Sequence, residues 1–231
     1  WYKDTERGGN FGFNTETGPG PQPPVYSSLV KMYGQNLHYP IDSTWNFHHG
    51  RFAFGTMDKY LKAFNNRYGP SPTLEDFALV SQIASYEAIR PMFEAFRVNQ
   101  PNTTGVVQWM LNSAWPETFW QLYDFYLQPT GAYFGTKKAN EQIQGIYHYG
   151  KHQVYLVNDQ PTSLASAKIT IEVYGVDSKL LYKMDSNLVN VNPGSHLLFN
   201  LKPTKDATEF VFITVTENEG QVHKNNYWLS S

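Results

Sequence analysis

The sequence contains no cysteine, which excludes disulfide bonds, thiolate metal sites and a cysteine nucleophile. Charged residues are few, at 16% of the 231 positions, and the formal net charge is −2. Because phosphate binding needs a basic surface and no run of Lys or Arg occurs, the composition argues against a nucleic-acid partner. No apolar stretch approaches the ~18 residues that a membrane-spanning helix requires, so we expect no membrane partner either.

Aromatic residues are the abundant class, with 6 Trp, 16 Tyr and 15 Phe. Five of the six tryptophans lie before residue 141. Flat aromatic faces suit the C–H groups of sugar rings, although core filling accounts for most aromatic residues in any protein. The uneven distribution predicts two regions of different character, residues 1–140 and residues 141–231.

One acidic residue near the start of the chain has a distinctive setting. The β-prone run Phe11–Asn14 leads to Glu16 and then to a turn formed by Gly18, Pro19 and Gly20. Many α/β barrels present a catalytic group in this way, at the carboxyl end of a strand. The alternative is that Glu16 is a solvated loop residue, as most glutamates are.

Helical periodicity dominates the following part of the chain. The apolar spacing predicts helices over residues 25–33 and 57–68, and Thr73 is typical of the N-cap of a third, long helix. Pro91 should kink or end that third helix, because proline lacks the N–H group that an interior helical position donates.

Residues 35–55 lie between the first two predicted helices and show no periodicity. The adjacent pair His48 and His49 lacks any accompanying ligand motif, which favours hydrogen-bonded or substrate-facing histidines over a metal site. We therefore expect neither a metal nor another cofactor.

A second strand is predicted over residues 106–112, where the sequence is almost continuously apolar. It leads into the polar and aromatic loop 112–116, which is followed by predicted helices over 119–126 and 131–140. This strand, loop and helix order predicts a pair of β/α units. Since two such units cannot close a barrel, we expect a missing N-terminal portion.

The period changes from helical to two after Asn140, which indicates antiparallel strands. Short alternating strands at this spacing are typical of an immunoglobulin-like sandwich. The predicted strands are 153–158, 168–174, 179–184, 195–201, 209–216 and 222–229.

Two motifs resemble a known family. The run Asn14-Thr15-Glu16-Thr17-Gly18 resembles the nucleophile segment of the family-two glycoside hydrolases, and residues 109–116 (WMLNSAWP) resemble the eighth barrel strand of the β-mannosidase and glucosaminidase branch. Residues 120–126, 129–141 and 226–230 are most similar to the exo-β-D-glucosaminidases. The resemblance covers nearly the whole chain and implies a multidomain fold. Residues 1–140 would be the last two β/α units of a (β/α)8 TIM barrel, and residues 141–231 an immunoglobulin-like β-sandwich.

The resemblance also implies an activity. The enzymes are retaining, and the closest branch removes terminal glucosamine from chitosan-type oligosaccharides by double displacement. Glu16 would be the nucleophile and Trp109 a wall or floor of the terminal-sugar subsite. Asn112 and Trp115 would be substrate-binding residues near the same pocket. The alternative for Trp109 is an aromatic of the barrel core. Two other readings stay open, namely a β-mannosidase and a non-catalytic carbohydrate-binding fragment.

Retaining hydrolysis requires two carboxyl groups about 5 to 5.5 Å apart. The resemblance places the acid/base Glu in an Asn-Glu pair at the end of barrel strand four, upstream of this chain. The pairs Asn140-Glu141 and Asn218-Glu219 match that dipeptide only by chance. We therefore predict an incomplete, inactive portion whose partner is the missing N-terminal part of the same enzyme. We expect an extracellular or periplasmic location, with any export signal outside these residues.

Overall fold

The computed structural model describes residues 1–3, 9–202, 208–218 and 220–230. They form two compact units whose segments alternate along the chain. The first unit comprises Trp1–Phe13, Glu94–Gly105 and Glu141–Ser231, and the second comprises Asn14–Phe93 and Val106–Asn140. The division of the chain into a barrel part and a sandwich part near Asn140 stays a prediction.

The helices of the chain largely confirm the sequence periodicity. They are α1 (Tyr26–Tyr33), α2 (Ser43–Phe47), α3 (Asp58–Tyr68), α4 (Leu74–Val98) and α5 (Gly131–Ala139). Thr73 caps α4 as predicted, because its Oγ1 accepts a hydrogen bond from the backbone N–H of Asp76 at 3.1 Å. Helix α4 continues through Pro91 to Val98. No helix within the described ranges is long and apolar enough to cross a membrane.

The predicted helix over residues 119–126 is wrong, because this segment has no helical turn. Its backbone groups bond elsewhere: the N–H groups of Leu122 and Tyr123 both donate to the carbonyl of Leu111, at 3.1 and 2.9 Å. The carboxylate of Asp124 then accepts from the N–H groups of Tyr126 and Gln128. These hydrogen bonds to a distant segment and a side chain replace the i to i−4 bonds of a helix.

Strands β1 (Gly12–Thr17) and β2 (Thr103–Gln108) form a two-stranded sheet. Near its start the N–H of Gly12 donates to Asn102 O at 2.9 Å, and near its end the N–H of Trp109 donates to Thr17 O at 2.8 Å. Residue numbers increase together along both segments, so the strands run parallel. Strand β2 begins and ends earlier than the predicted 106–112.

The remaining strands form two antiparallel sheets, one of order β3-β4-β7 and one of order β6-β5-β8-β9. They are β3 (Ile143–His148), β4 (Gln153–Asn158), β5 (Leu164–Gly175), β6 (Leu180–Val191), β7 (Gly194–Asn200), β8 (Thr208–Glu217) and β9 (Val222–Ser230). Strands β4 to β9 confirm the six predicted from the alternating pattern. Both sheets contribute side chains to one buried core, which defines a two-layer sandwich.

Strand β3 was not predicted, because it does not alternate. Every one of its six residues is buried. Gly145 lies in its middle, and a Cβ atom there would come within 2.3 Å of Ile213 Cγ2. The strand therefore approaches β8 more closely than any residue with a side chain would allow.

The end of α4 belongs to the same unit as the sandwich and places a carboxylate in its interior. Glu94 is fully buried, and its Oε1 accepts hydrogen bonds from Gln144 Nε2 at 3.1 Å, Asn225 Nδ2 at 3.1 Å and Tyr227 OH at 2.9 Å. A buried carboxylate needs such donors, because desolvation of an unpaired charge is costly.

Candidate active site

Glu16 lies within β1 rather than in the turn that follows it. Its side chain is exposed, and its backbone N–H donates to Asn14 Oδ1 at 3.1 Å. The carboxylate is thus presented at the carboxyl end of a parallel strand, where α/β proteins commonly place reactive groups.

A backbone hydrogen bond joins the beginning of the loop after Glu16 to the segment that follows β2. Thr17 O accepts the N–H of Trp109 at 2.8 Å. A Cβ atom at Gly18 would lie 3.0 Å from Trp109 O and 3.1 Å from Trp120 Cδ1. Only glycine allows this approach without displacing a neighbour.

Hydrogen bonds also hold the end of this loop. The N–H of Gln22 donates to Thr118 O at 2.9 Å, and Gln22 O accepts from Gln121 Nε2 at 3.0 Å. Pro21 also pairs with Phe119 in an isolated antiparallel bridge. Main-chain contacts therefore bring the Glu16 loop alongside residues 109–121, which carry the three other predicted site residues.

Trp109 and Asn112 both have exposed side chains. Trp109 is 48% exposed, and the peptide bond that joins it to Met110 is cis. The backbone of Asn112 bridges to Tyr123, while its Nδ2 donates to the adjacent Ser113 O at 3.4 Å. In this unit both side chains are accessible to a ligand.

Trp115 occupies the wall of a pocket. One side of its indole stacks on the His48 imidazole, with ring centroids 5.3 Å apart and an interplanar angle of 24°, and Phe47 meets it edge-on at 5.5 Å. The pocket has a volume of about 590 Å³ and is lined by Phe47, Gly50, Arg51, Trp115 and Glu117.

Sequence reasoning missed Arg51 and Glu117. Burial raises the pKa of the Glu117 carboxyl above its usual range, against the opposing effect of hydrogen bonds from the Ser113 and Trp115 side chains. The sequence indicates these two residues only by position, because Glu117 follows Trp115 by two residues and Arg51 follows the histidine pair.

The histidine pair is hydrogen-bonded, as one of its two predicted roles requires. His48 Nδ1 lies 2.8 Å from Pro116 O, and the buried His49 has its Nδ1 2.8 Å from Thr118 Oγ1. Burial lowers the pKa of His49 to about 4, so this ring is neutral near pH 7. Within the described ranges no group of three or more His, Asp or Glu residues is arranged to hold a metal ion.

Of the two Asn-Glu pairs, Asn140-Glu141 is the one that lies wholly within the described residues. The backbone carbonyl of Glu141 accepts a hydrogen bond from Arg97 Nη2 at 2.7 Å in the sandwich unit. Glu219 lies outside the described residues.

Comparisons with known proteins agree with the resemblance in sequence. No protein-family model matches the chain. An exo-β-D-glucosaminidase of Streptomyces avermitilis is 33% identical over the whole chain, which spans 27% of that relative. The structure of the exo-chitosanase CsxA of Amycolatopsis orientalis in complex with PNP-β-D-glucosamine superposes over the whole chain with a TM-score of 0.91 and 28% identity, and the chain covers 29% of it.

A β-mannosidase structure from Dictyoglomus thermophilum shares the fold over 94% of the chain, with a TM-score of 0.76 and 22% identity. The chain belongs to the family-two glycoside hydrolases, in the branch of the exo-β-D-glucosaminidases and β-mannosidases. It spans little more than a quarter of the length of these relatives.

Proposed function

We propose that this chain is the portion of a retaining exo-β-D-glucosaminidase that supplies the nucleophile, Glu16. The enzyme would remove terminal glucosamine from chitosan-type oligosaccharides. The observation that carries the proposal is the match of the whole chain to exo-β-D-glucosaminidases, joined to a Glu16 loop that is fastened along the segment bearing Trp109. An extracellular or periplasmic location is part of the proposal, because chitosan-type polymers are too large to enter a cell unaided.

The proposal includes a finer fold. We infer that β1 and β2 are the last two strands of a (β/α)8 barrel and that residues 141–231 form an immunoglobulin-like domain. Their parallel pairing supports the first inference, and so does the exposure of apolar side chains on both strands, since a closed barrel would cover them. Sheets of three and four antiparallel strands around one core support the second inference.

The chemistry assigned to Glu16 is nucleophilic. Its carboxylate attacks the anomeric carbon of the terminal sugar, the glycosidic C–O bond breaks, and a covalent glycosyl-enzyme forms. A second carboxyl, supplied by the part of the enzyme outside this chain, protonates the leaving oxygen. It then takes a proton from the water that releases the sugar. Two carboxyls with opposite tasks require different surroundings.

The remaining predicted site residues are assigned to binding. Trp109 presents an exposed aromatic face next to the Glu16 loop, and Asn112 presents an amide with free hydrogen-bonding capacity for sugar hydroxyls. Trp115 stands six residues after Trp109, in the wall of the pocket described above.

Covalent trapping tests the proposal. The longer enzyme that carries this chain is incubated with 2-deoxy-2-fluoro glycosides of gluco and manno configuration, and the labelled peptide is found by mass spectrometry. We expect the label on Glu16. A label on another carboxylate contradicts the assignment, preferential labelling by the manno reagent favours a β-mannosidase, and absence of turnover and label favours a non-catalytic carbohydrate-binding role.

A further inference from the structure

The pocket beside Trp115 contains groups that the proposed nucleophile chemistry does not use. Its volume of about 590 Å³ lies within the range of small-molecule sites. Its lining combines two aromatic rings with one cationic and one anionic side chain, those of Arg51 and Glu117. Such a mixture of flat apolar surface and a few polar groups is typical of a site for a polar ring.

The two walls of this pocket are held together by hydrogen bonds from the histidine pair. His48 Nδ1 meets Pro116 O at 2.8 Å, and His48 O accepts the N–H of Thr118 at 3.0 Å. His49 bonds the Thr118 hydroxyl from within the core. The wall 47–51 and the wall 115–118 are thus fixed to each other before any ligand arrives, which reduces the entropy cost of binding.

Trp115 provides a platform for a sugar ring. One side of the indole is covered by His48, yet 39% of the residue stays exposed. The exposed surface suits the C–H side of a pyranose, while Phe47 bounds it at the edge.

Glu117 is the anionic side chain of the pocket lining. It is half-buried, so its carboxylate is incompletely hydrated, and its attraction to a cation is less screened than it would be on an open surface. Arg51 is exposed, and solvent screens its charge more strongly. The balance favours a ligand with an ammonium group beside Glu117 and hydroxyl groups near Arg51.

The pocket shares its framework with the nucleophile loop. Thr118, the residue after Glu117, accepts the N–H of Gln22 at its carbonyl, and Gln22 ends the loop that begins after Glu16. We propose that this pocket binds the sugar on the leaving-group side of the scissile bond, a second glucosamine unit. Trp115 lies under its ring and Glu117 contacts its 2-ammonium group. The proposal rests on the proposed function and adds a subsite to it.

Two substrates test this subsite in the longer enzyme that carries the chain. The glucosamine disaccharide places an aminosugar in the leaving-group position, and an aryl β-glucosaminide places a neutral ring there. For Glu117→Gln, we expect the ratio of kcat/KM for the disaccharide to that for the aryl substrate to fall about tenfold or more, because a charge-assisted hydrogen bond is lost. Glu117→Asp, which retains the charge, should recover part of the ratio.

Glu75→Gln is the matched control, since this exposed acid in the first turn of α4 lies outside the pocket and should leave the ratio unchanged. Trp115→Ala should lower kcat/KM for both substrates, because an aryl ring also stacks on the indole. An unchanged ratio in Glu117→Gln overturns the subsite. A wild-type enzyme that hydrolyses neither substrate overturns the proposed function and the subsite with it, so the two failures are distinguishable.

A measurement on the wild-type enzyme needs no variant. Disaccharides with glucosamine at the non-reducing end and either glucosamine or glucose at the reducing end differ only in the group that would face Glu117. We expect kcat/KM to be about tenfold higher for the substrate with two amino groups. Equal values contradict the assignment of Glu117.

Discussion

The parallel pair β1–β2 and strand β5 of the sheet β6-β5-β8-β9 differ in the exposure of their apolar side chains. In β5, Ile169, Ile171 and Val173 are fully buried, and the residues between them face outward. On the parallel pair, by contrast, Phe13 is 60% exposed and Val107 is 46% exposed. The apolar face of β5 is therefore covered, whereas the two parallel strands leave apolar side chains exposed, as the edge strand β6 does with Val189 at 76% exposure.

In the barrel proposed above, strands outside this chain would cover the exposed side chains of β1 and β2. Exposed apolar strands with open edges are unfavourable in water and prone to associate. The region with open strands is the one that carries Glu16 and the tryptophans assigned to sugar binding. Under that proposal, the part of the chain assigned to the chemistry would depend on residues outside it.

The largest expected effect follows from Glu16→Gln in the longer enzyme. Loss of the nucleophile should lower kcat by roughly 10³-fold or more, because the amide cannot form the covalent intermediate. Binding of glucosamine oligosaccharides, measured by calorimetry, should persist. A variant with near wild-type kcat would place the nucleophile elsewhere.

A pair of alanine variants compares the buried side chain of Ile171 in β5 with the exposed side chain of Val107 in β2. Ile171→Ala should lower the free energy of unfolding by about 2–5 kcal/mol, because it opens a cavity in a closed core. Val107→Ala should cost less than about 0.5 kcal/mol in the 231-residue chain, where the side chain is exposed.

In the longer enzyme the cost of Val107→Ala should rise to about 1–2 kcal/mol if barrel strands cover β2. Urea unfolding of both proteins measures the difference. Equal costs in the two contexts would mean that β2 gains no cover from the rest of the enzyme.

Each unit contains one buried histidine, and together they predict sensitivity to acid. Burial lowers the pKa of His49 in the second unit and of His148 in the first unit to about 4, in the latter case assisted by the charge of Lys151. The unfolded chain takes up these protons near pH 6.5. Stability is therefore complete above pH 6.5 and is lost as pH falls towards 4, by up to about 3 kcal/mol for each histidine.

His49→Asn should reduce the difference in unfolding free energy between pH 7.5 and pH 4.5, because asparagine retains a polar atom near Thr118 but does not titrate. Urea unfolding at the two pH values measures this change. An unaltered pH dependence would show that His49 does not contribute to it.

A further prediction concerns the sandwich interior, where the expected effect is smaller than that of Ile171→Ala. Tyr227→Phe removes the hydroxyl that donates to Glu94 Oε1 at 2.9 Å, while Gln144 and Asn225 still donate to that oxygen. We expect a loss of about 1–2 kcal/mol of unfolding free energy, with no change in activity. A loss comparable to that of Ile171→Ala would show that the remaining donors do not support the carboxylate.

Sequence patterns predicted the fold wherever one face of an element is buried and the other is not. Strands β4 to β9 and helix α3 were predicted, most of them within about two residues, although β5 begins four residues earlier and β6 ends seven residues later than predicted. Strand β3 was missed because it is buried on both faces and has a glycine at its centre. The false helix at 119–126 had suitable residues, but its N–H groups bond to Leu111 and Asp124 instead.

Some residues of the candidate site were recognisable from the sequence, and others were not. Glu16 and Trp109 lie in short contiguous motifs that can be recognised in the sequence alone. Arg51 and Glu117 line one pocket because hydrogen bonds of His48 and His49 join segments almost seventy residues apart. Neither segment is periodic, and nothing in the order of residues indicates that contact.

The burial of Glu94 affects any attempt to transfer the sandwich alone to another protein. A graft that starts at residue 141 would leave out the helix end that holds this carboxylate. Gln144, Asn225 and Tyr227 would then keep their donors in the interior without the acceptor they share. The transferable piece is the whole compact unit, in which the sandwich is joined by Glu94–Gly105 and Trp1–Phe13, two segments that precede α5 in the chain.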